Sequence, residues 1–166
     1  MTDKRASEHN YTQFYEVYFS LSRSLSITLL EIGVLEHPDK IDRPYGAASL
    51  RMWADYFHNS QIHGIDIRDL THLQQERIHI HIGDQSKGRE LEDLLTRESI
   101  RPNIIIDDGS HRITHQQITI AALFKHLSPR GIYVIEGIVQ FGACKLFCVN
   151  ADGTLIVDRA ADHQIQ

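Results

Sequence analysis

Short apolar runs alternate along most of the chain with segments of helical period. Five runs have the length and apolar content of strands, at residues 27–33, 61–67, 77–82, 103–107 and 131–136. The segments between them include apolar helical stripes at residues 50–57, 91–95 and 113–127. Strand and helix in alternation predict an α/β domain with a mostly parallel sheet that is covered by helices on both faces.

The helix boundaries follow from residues that commonly cap or end helices. A serine stands near the start of each of the three stripes and is predicted to be its N-cap: Ser49, Ser86 and Ser110. The third helix is predicted to end at Pro129-Arg-Gly131. Its inner face is predicted to consist of Ile113, Ile120, Ala121, Phe124 and Leu127.

The two ends of the chain depart from this alternation. Five aromatic residues at helical spacing predict an N-terminal helix with one apolar face: Tyr11, Phe14, Tyr15, Tyr18 and Phe19. We expect this helix to pack on the domain edge, and a lid over a ligand is the alternative. After the fifth run, residues 143–149 and 154–158 predict a β-hairpin with Asp152-Gly153 at its turn. No clear helix separates this hairpin from the fifth strand.

Length and composition restrict the class of protein. The chain has 166 residues, which predicts one domain, divided into an aromatic helix (1–25), a ligand-binding core (27–137) and a divergent hairpin (138–166). The net charge of −5 and the scattered basic residues argue against a nucleic-acid partner. No apolar stretch approaches the ~20 residues of a membrane span. No secretory signal begins the chain, and Cys144 and Cys148 are read as free thiols, so we expect a cytoplasmic protein.

Acidic residues follow the predicted strands at the places where ligands bind to parallel sheets. They are Asp66, Asp84, Asp107, Asp108 and Glu136. Because ligands in such folds bind at the carboxyl ends of the strands, these acids predict a functional cluster at that edge of the sheet. His79 and His81, in contrast, alternate with three isoleucines inside one run, and we expect a structural or solvated role for this pair.

The segment after the first strand separates two classes of nucleotide-like ligand. A nicotinamide cofactor calls for Gly-x-Gly-x-x-Gly at this place, but Gly33 is followed by no glycine until Gly46. S-adenosylmethionine has no pyrophosphate and needs only close backbone approach after the first strand and a carboxylate for the ribose after the second. Gly33 and Asp66 meet these needs, and Asp84 is placed to lie by the adenine.

Six motifs in this order carry a resemblance to a known family. They are Leu30-Glu-Ile-Gly33, Ser49-Leu-Arg-Met-Trp53, His63-Gly-Ile-Asp-Ile67, Gly83-Asp-Gln-Ser86, Asp107-Asp-Gly-Ser-His111 and Tyr133-Val-Ile-Glu136. Over residues 8–138 the chain resembles the class I, Rossmann-like methyltransferases of the macrolide-sugar O-methyltransferase type. The resemblance implies methyl transfer from S-adenosylmethionine to a sugar hydroxyl, with Mg²⁺ as a candidate second cofactor. It also implies a small-molecule acceptor and a candidate homo-oligomer.

The resemblance assigns roles to individual residues. Asp108 and Glu136 match metal ligands, and His111 matches the general base that takes the proton of the hydroxyl. Residues assigned to the cofactor side are Glu31, Gly33, Asp66, Asp84, Gln85 and Asp107. His115, one turn beyond His111, is expected to lie behind the site or at the surface.

Three departures from the family pattern favour an alternative. The family places an acid after Glu136, where this chain has Gly137, and the loss of one carboxylate should weaken Mg²⁺ binding. The loop after Gly33 is bulky and has lost glycines. The chain after Gly137 is short and does not follow the family. The alternative is a non-catalytic or degenerate relative that binds cofactor or a partner without turnover, and Gly137→Asp would then create Mg²⁺-dependent activity. A nicotinamide oxidoreductase is the third hypothesis.

Overall fold

The computed structural model describes residues 11–34, 46–140, 143–150 and 155–158. The helices of this part are α1 (Tyr11–Phe19), α2 (Ala48–Tyr56), α3 (Gly88–Arg97) and α4 (Ile113–Leu123). The strands are β1 (Thr28–Ile32), β2 (Gln61–Asp66), β3 (Ile78–Ile82), β4 (Ile104–Asp107), β5 (Ile132–Gln140), β6 (Ala143–Asn150) and β7 (Leu155–Asp158). None of the described helices is long and apolar enough to cross a membrane.

The described strands form one sheet in the order β3-β2-β1-β4-β5-β6-β7. The first five strands are parallel, whereas β6 and β7 run antiparallel to their neighbours. Chain order reverses between β1 and β4, and the register there pairs Ile32 with both Ile65 and Asp107. This reversal is the place where ligands bind in open α/β sheets, so the predicted fold class is confirmed in its topology.

Two apolar layers cover the sheet. Helices α1 and α2 pack on one face, and the largest buried side chains of this layer are Phe19, Trp53 and Phe57. Helices α3 and α4 cover the other face through residues such as Leu91 and Leu123. Burial of each large apolar side chain contributes roughly 1.5–3 kcal/mol relative to exposure, so both layers contribute to holding the helices on the sheet.

Helix α1 confirms the prediction from the aromatic spacing. Tyr15 and Phe19 are 3% and 0% exposed, and their rings stack with centroids 5.2 Å apart. Tyr15 also meets the ring of Trp53 edge-on at 4.9 Å, which joins α1 to α2. The helix therefore packs on the domain, as expected. The side chains of residues 11–14 lie outside the described part.

The three predicted serine caps are wrong. The N-cap positions are Ala47, Lys87 and Arg112, none of which makes a side-chain cap hydrogen bond. Ser86 donates its hydroxyl to Asp84 Oδ1 at 2.7 Å, and the Ser110 hydroxyl lies 2.8 Å from His115 Nδ1. These hydroxyls have polar side chains as nearby partners. A pattern of residue types does not reveal that competition.

The predicted inner face of α4 is also wrong in part. Ile113 is 63% exposed and Ala121 is exposed, whereas the buried residues of the helix are Gln116, Thr119, Ala122 and Leu123. Gln116 Nε2 donates to the Glu136 carbonyl oxygen at 3.0 Å. Apolar residues lie on several sides of α4, so periodicity does not define one face. In the structure, α4 therefore turns a different face to the sheet than predicted, and the buried side chain of Gln116 on that face bonds to β5.

Strand β5 is longer than predicted. It continues past Glu136 to Gln140, and its pairing with β6 is irregular between Ile135 and Ile138. Strands β6 and β7 pair antiparallel, which confirms the hairpin, and β6 follows β5 directly in the sheet. The predicted turn at Asp152-Gly153 and the side chains of Cys144 and Cys148 lie outside the described part.

Three histidines stack on the outer strands β2 and β3. His63 lies between the two predicted histidines, with ring centroids 4.9 Å from His79 and 5.4 Å from His81. Its Nδ1 is 3.1 Å from His81 Nε2. Burial, and then the charges of His79 and His81, lower the pKa of His63 to about 4. The opposite face of β3 is apolar as expected, although its last isoleucine, Ile82, is 55% exposed.

This lowered pKa predicts a pH-dependent loss of stability. Unfolded His63 takes up its proton near pH 6.5 and the folded residue only near pH 4, so protonation favours the unfolded chain as the pH falls between these values. Urea unfolding at pH 7.5 and pH 4.5 should show a larger loss of unfolding free energy for the wild type than for His63→Gln. Equal losses in the two proteins would contradict the assignment.

Candidate functional site

The carboxyl ends of the central strands meet through contacts between backbones. Gly33 N donates to Ile65 O at 2.9 Å, and Asp108 N donates to Ile32 O at 2.9 Å. Gly33 has φ +87°, and a Cβ built on it would lie 2.8 Å from the Asp108 carbonyl carbon and from Gly109 Cα. Glycine is required here because both the conformation and the space exclude a side chain. Gly33 thus packs closely against the loop after β4, and the predicted close approach of the cofactor at Gly33 stays a prediction.

Asp66 is held by the segments on either side of it. The residue is 6% exposed, and its Oδ2 accepts from Val34 N at 3.0 Å. Arg68 donates to the same carboxylate from its backbone N–H and from its guanidinium at 3.0–3.2 Å. Burial opposes ionisation of Asp66, but these hydrogen bonds outweigh it and lower the pKa. The predicted ribose-binding acid is therefore ionised and oriented at the end of β2.

Asp84 lies just past β3 and is less enclosed than Asp66. Its Oδ1 accepts from Ser86 N at 2.9 Å and from the Ser86 hydroxyl at 2.7 Å. These bonds lower the pKa of Asp84 and fix the turn that leads into α3. Strand pairing aligns Asp66 with Ile82, so Asp66 and Asp84 stand at the same edge of the sheet, as predicted.

Gln85 connects the loops after β3 and β4. Its Nε2 donates to Asp107 Oδ1 at 2.5 Å, and its Oε1 accepts from Ser110 N at 2.9 Å. A Cβ on Gly109 would meet the Gln85 side-chain carbon at 2.8 Å, so glycine there makes room for the amide. Gln85 is 9% exposed and is engaged on both sides by protein groups. Its predicted cofactor role stays a prediction.

Asp107 is buried on the α3–α4 face of the sheet. Desolvation raises the pKa of this carboxyl to about 7, against hydrogen bonds from Gly109 and Gln85 that lower it. The Thr119 hydroxyl also lowers the pKa of Asp107 by hydrogen bonding, whereas the Tyr133 hydroxyl has no hydrogen-bond partner among the described residues. Tyr133 is fully buried, and burial raises its pKa well above the ordinary value. The Tyr133 hydroxyl therefore leaves hydrogen-bonding capacity unused inside the described part of the fold.

His111 and Asp108 come together at the start of the segment before α4. His111 Nε2 lies 3.8 Å from Asp108 Oδ1, and the two side chains are 46% and 14% exposed. His111 has φ +55°, a left-handed conformation that is uncommon for a side-chain-bearing residue. Strain of this kind tends to persist where the surrounding structure fixes it, often at functional sites. The structure thus places the predicted base beside one of the predicted metal ligands.

Glu136 faces the α1–α2 side of the sheet. It is 1% exposed, and the Tyr15 hydroxyl donates to its Oε1. Glu31, on β1, is fully buried, and strand alternation puts it on the same face as Leu29. Both carboxylates therefore lie inside the apolar layer and not on an open surface. No sequence pattern indicates the Tyr15–Glu136 bond, because the two residues lie far apart in the chain.

No group of three or more His, Cys, Asp or Glu side chains within the described ranges is arranged to hold a metal ion. Mg²⁺ prefers an octahedral shell of hard oxygen ligands and often keeps several waters. Asp108 and Glu136 supply carboxylates, but Glu136 is buried and hydrogen-bonded to Tyr15. Their role as metal ligands stays a prediction.

Comparison with known proteins identifies the relatives of this chain. No family model matches it. It is 39% identical over 138 residues to demethylmacrocin O-methyltransferase of Streptomyces fradiae, covering 82% of this chain and 33% of the relative. It is 40% identical over 137 residues to mycinamicin VI 2''-O-methyltransferase of Micromonospora griseorubida, covering 81% and 33%. The chain spans about one third of the length of these curated relatives.

A solved structure gives the same result in three dimensions. MycE methyltransferase from the mycinamycin biosynthetic pathway, in complex with Mg, SAH and mycinamycin VI, matches with a TM-score of 0.74 and 39% identity. The match covers 82% of this chain and 36% of MycE. The fold of the chain is the Rossmann-like fold of class I S-adenosylmethionine-dependent methyltransferases. Within this class, the chain is similar over the matched residues to the macrolide-sugar O-methyltransferases, which confirms the resemblance that the motifs indicated.

The Gln85 bridge generates a stability prediction. Gln85→Met keeps an unbranched side chain of similar length but removes both hydrogen bonds, leaving the Ser110 N–H and Asp107 Oδ1 poorly satisfied. We expect a loss of roughly 1–3 kcal/mol in unfolding free energy, measured by urea denaturation. Gln117→Met, at an exposed position of α4, is the control and should change stability little. Equal effects of the two substitutions would show that the bridge contributes nothing.

Proposed function

We propose that the chain is the cofactor-binding part of an S-adenosylmethionine-dependent O-methyltransferase, which methylates a hydroxyl of a small glycosylated or polyketide-like acceptor. The carboxyl edge around β2 and β3 carries the proposal. There, the exposed apolar side chains Ile67 and Ile82 (66% and 55% exposed) flank the acids Asp66 and Asp84. An apolar surface with adjacent carboxylates suits a nucleoside, which offers a flat base and sugar hydroxyls.

The relatives support the choice of cofactor and of acceptor class. The solved MycE complex contains SAH and Mg, and the curated relatives are named as O-methyltransferases of macrolide or tetracenomycin compounds. Asp66 is the residue we assign to the ribose hydroxyls, because its carboxylate is held at the end of β2 in ionised form. Arg68 and Val34 orient it, so little ordering is needed when the ligand arrives.

The chemistry assigned to this chain is a proton transfer beside the methyl donor. When bound, S-adenosylmethionine would supply an electrophilic methyl group: the hydroxyl oxygen would form the new C–O bond as the S–CH3 bond breaks and SAH leaves. His111 is the proposed base that accepts the hydroxyl proton, since its ring is half exposed and adjacent to Asp108. Asp108 then stabilises the charge on the imidazole across the 3.8 Å gap. Both roles belong to side chains of this chain.

A second candidate is binding without turnover. It is favoured by Gly137, which takes the place of an acid expected from the family. The first candidate requires the cofactor, whereas the second binds the cofactor or a partner, and methyl transfer to an acceptor distinguishes them. The cytoplasmic location, the homo-oligomeric assembly and the division of the chain at residues 25 and 137 stay predictions.

Cofactor binding tests the proposal. Calorimetric titration of S-adenosylmethionine, with and without Mg²⁺, should show binding to the wild type and weaker binding to Asp66→Asn. The substitution removes the charge but retains the shape, and the loss of charge-assisted hydrogen bonds should weaken binding roughly 10- to 100-fold. Asp93→Asn, at an exposed position of α3, is the control and should bind as the wild type does.

The titration separates the outcomes. Binding to the wild type that Asp66→Asn does not weaken would reject the assigned ribose site. Absence of binding in both conditions would reject the proposed function altogether. Binding without methyl transfer to any glycosylated acceptor would support the second candidate.

A further inference from the structure

Gly137 lies directly beneath the imidazole ring of His111. Its φ is +68°, and a Cβ built on it would come 2.5 Å from Cε1 and 2.6 Å from Cγ of the ring. Real Cβ atoms essentially never approach other heavy atoms within 3.0 Å. A side chain at position 137 and the present position of the His111 ring are therefore mutually exclusive.

A side chain at 137 would be strained by the left-handed backbone, and of the two overlapping groups the His111 ring has more room to move. Gly137 is buried within β5 and lies in the irregular stretch of pairing with β6 between Ile135 and Ile138. The Gln116 side chain further holds the neighbouring backbone at the Glu136 carbonyl. The His111 side chain, in contrast, is 46% exposed and has solvent to rotate into. Rotation of the His111 side chain into solvent would remove the overlap.

The position of this ring matters for the chemistry. In its present place, the ring has Nε2 3.8 Å from Asp108 Oδ1 and packs over the residue that follows Glu136. A ring turned toward solvent would lose both neighbours. The absence of a side chain at position 137 thus fixes where the imidazole lies relative to the acids.

We propose that Gly137 is a positioning residue that holds the His111 ring over the end of β5, in the volume that a side chain at 137 would need. The proposal rests on the proposed function only in that it gives the ring a catalytic purpose. It adds a steric consequence to the departure from the family pattern: in this chain, an acidic side chain at 137 would add a carboxylate and would also overlap the present position of the imidazole. Gly137→Asp is therefore expected to move the His111 ring from its present place.

Nuclear magnetic resonance of the full chain tests this arrangement without cofactor or acceptor. The wild type should show nuclear Overhauser effects between the His111 ring protons and the Gly137 Hα protons. In Gly137→Ala and in Gly137→Asp, the ring contacts should vanish and the ring signals should move to the values of an exposed histidine. Gly88→Ala is the matched control, since a Cβ there comes no closer than 3.1 Å to Ile118 and lies away from His111.

A second readout separates positioning from general damage. SAH affinity should stay unchanged in Gly137→Ala, because Gly33 and Asp66 are not altered. Absence of ring contacts in the wild type would overturn the proposal, even if the variants fail to fold. So would a Gly137→Ala variant whose new methyl group contacts an unmoved His111 ring. Failure of the wild type to bind SAH, with the ring contacts present, would reject the proposed function and leave the arrangement intact.

Discussion

The contact between Gly33 and the backbone at Asp108 is the constraint on which the site depends. It joins the loop after β1 to the loop after β4 at the point where the strand order reverses. Both partners are backbone, so a side chain at Gly33 could be accommodated only if the loops separated. Asp108 sits in that contact and faces His111, while Asp107, one residue earlier, joins the loop after β3 through Gln85. One close approach therefore sets the spacing of three loops.

Around this contact, several carboxylates are largely removed from water, and the fold stabilises them in different ways. An isolated buried charge is strongly unfavourable, and buried acids avoid it through hydrogen bonds or through a shift toward the neutral form. Asp66 is stabilised as an anion by Arg68 and Val34, and Glu136 accepts from Tyr15. Asp107 takes the other course, since desolvation raises its pKa to about 7. A cluster of acids in sequence thus becomes a set of chemically distinct groups in the structure.

The strand positions and the edge where the acids lie could be predicted from the sequence. Apolar runs set the first four strands within about two residues, and Asp66 and Asp84 follow from the rule for parallel sheets. The serine caps failed because hydroxyls at Ser86 and Ser110 had polar side chains as nearer partners. The predicted inner face of α4 was wrong in part, since the buried Gln116 side chain is turned to the Glu136 carbonyl. Such choices depend on contacts between distant segments, which periodicity does not encode.

The same limit applies to Tyr15, which the spacing predicts only as part of an apolar face, and to Gly137, which in the sequence is a missing carboxylate. In the structure, the Tyr15 hydroxyl bonds to Glu136, and Gly137 is a left-handed glycine covered by the His111 ring, so its effect is steric as well as electrostatic.

A crystal structure of this chain with SAH would test the central claim most directly. We expect SAH at the carboxyl edge of the sheet, with its ribose hydroxyls on Asp66 and its base against Ile67 or Ile82. SAH bound at another place, or an empty edge in crystals grown at saturating SAH, would contradict the claim that this edge is a cofactor site.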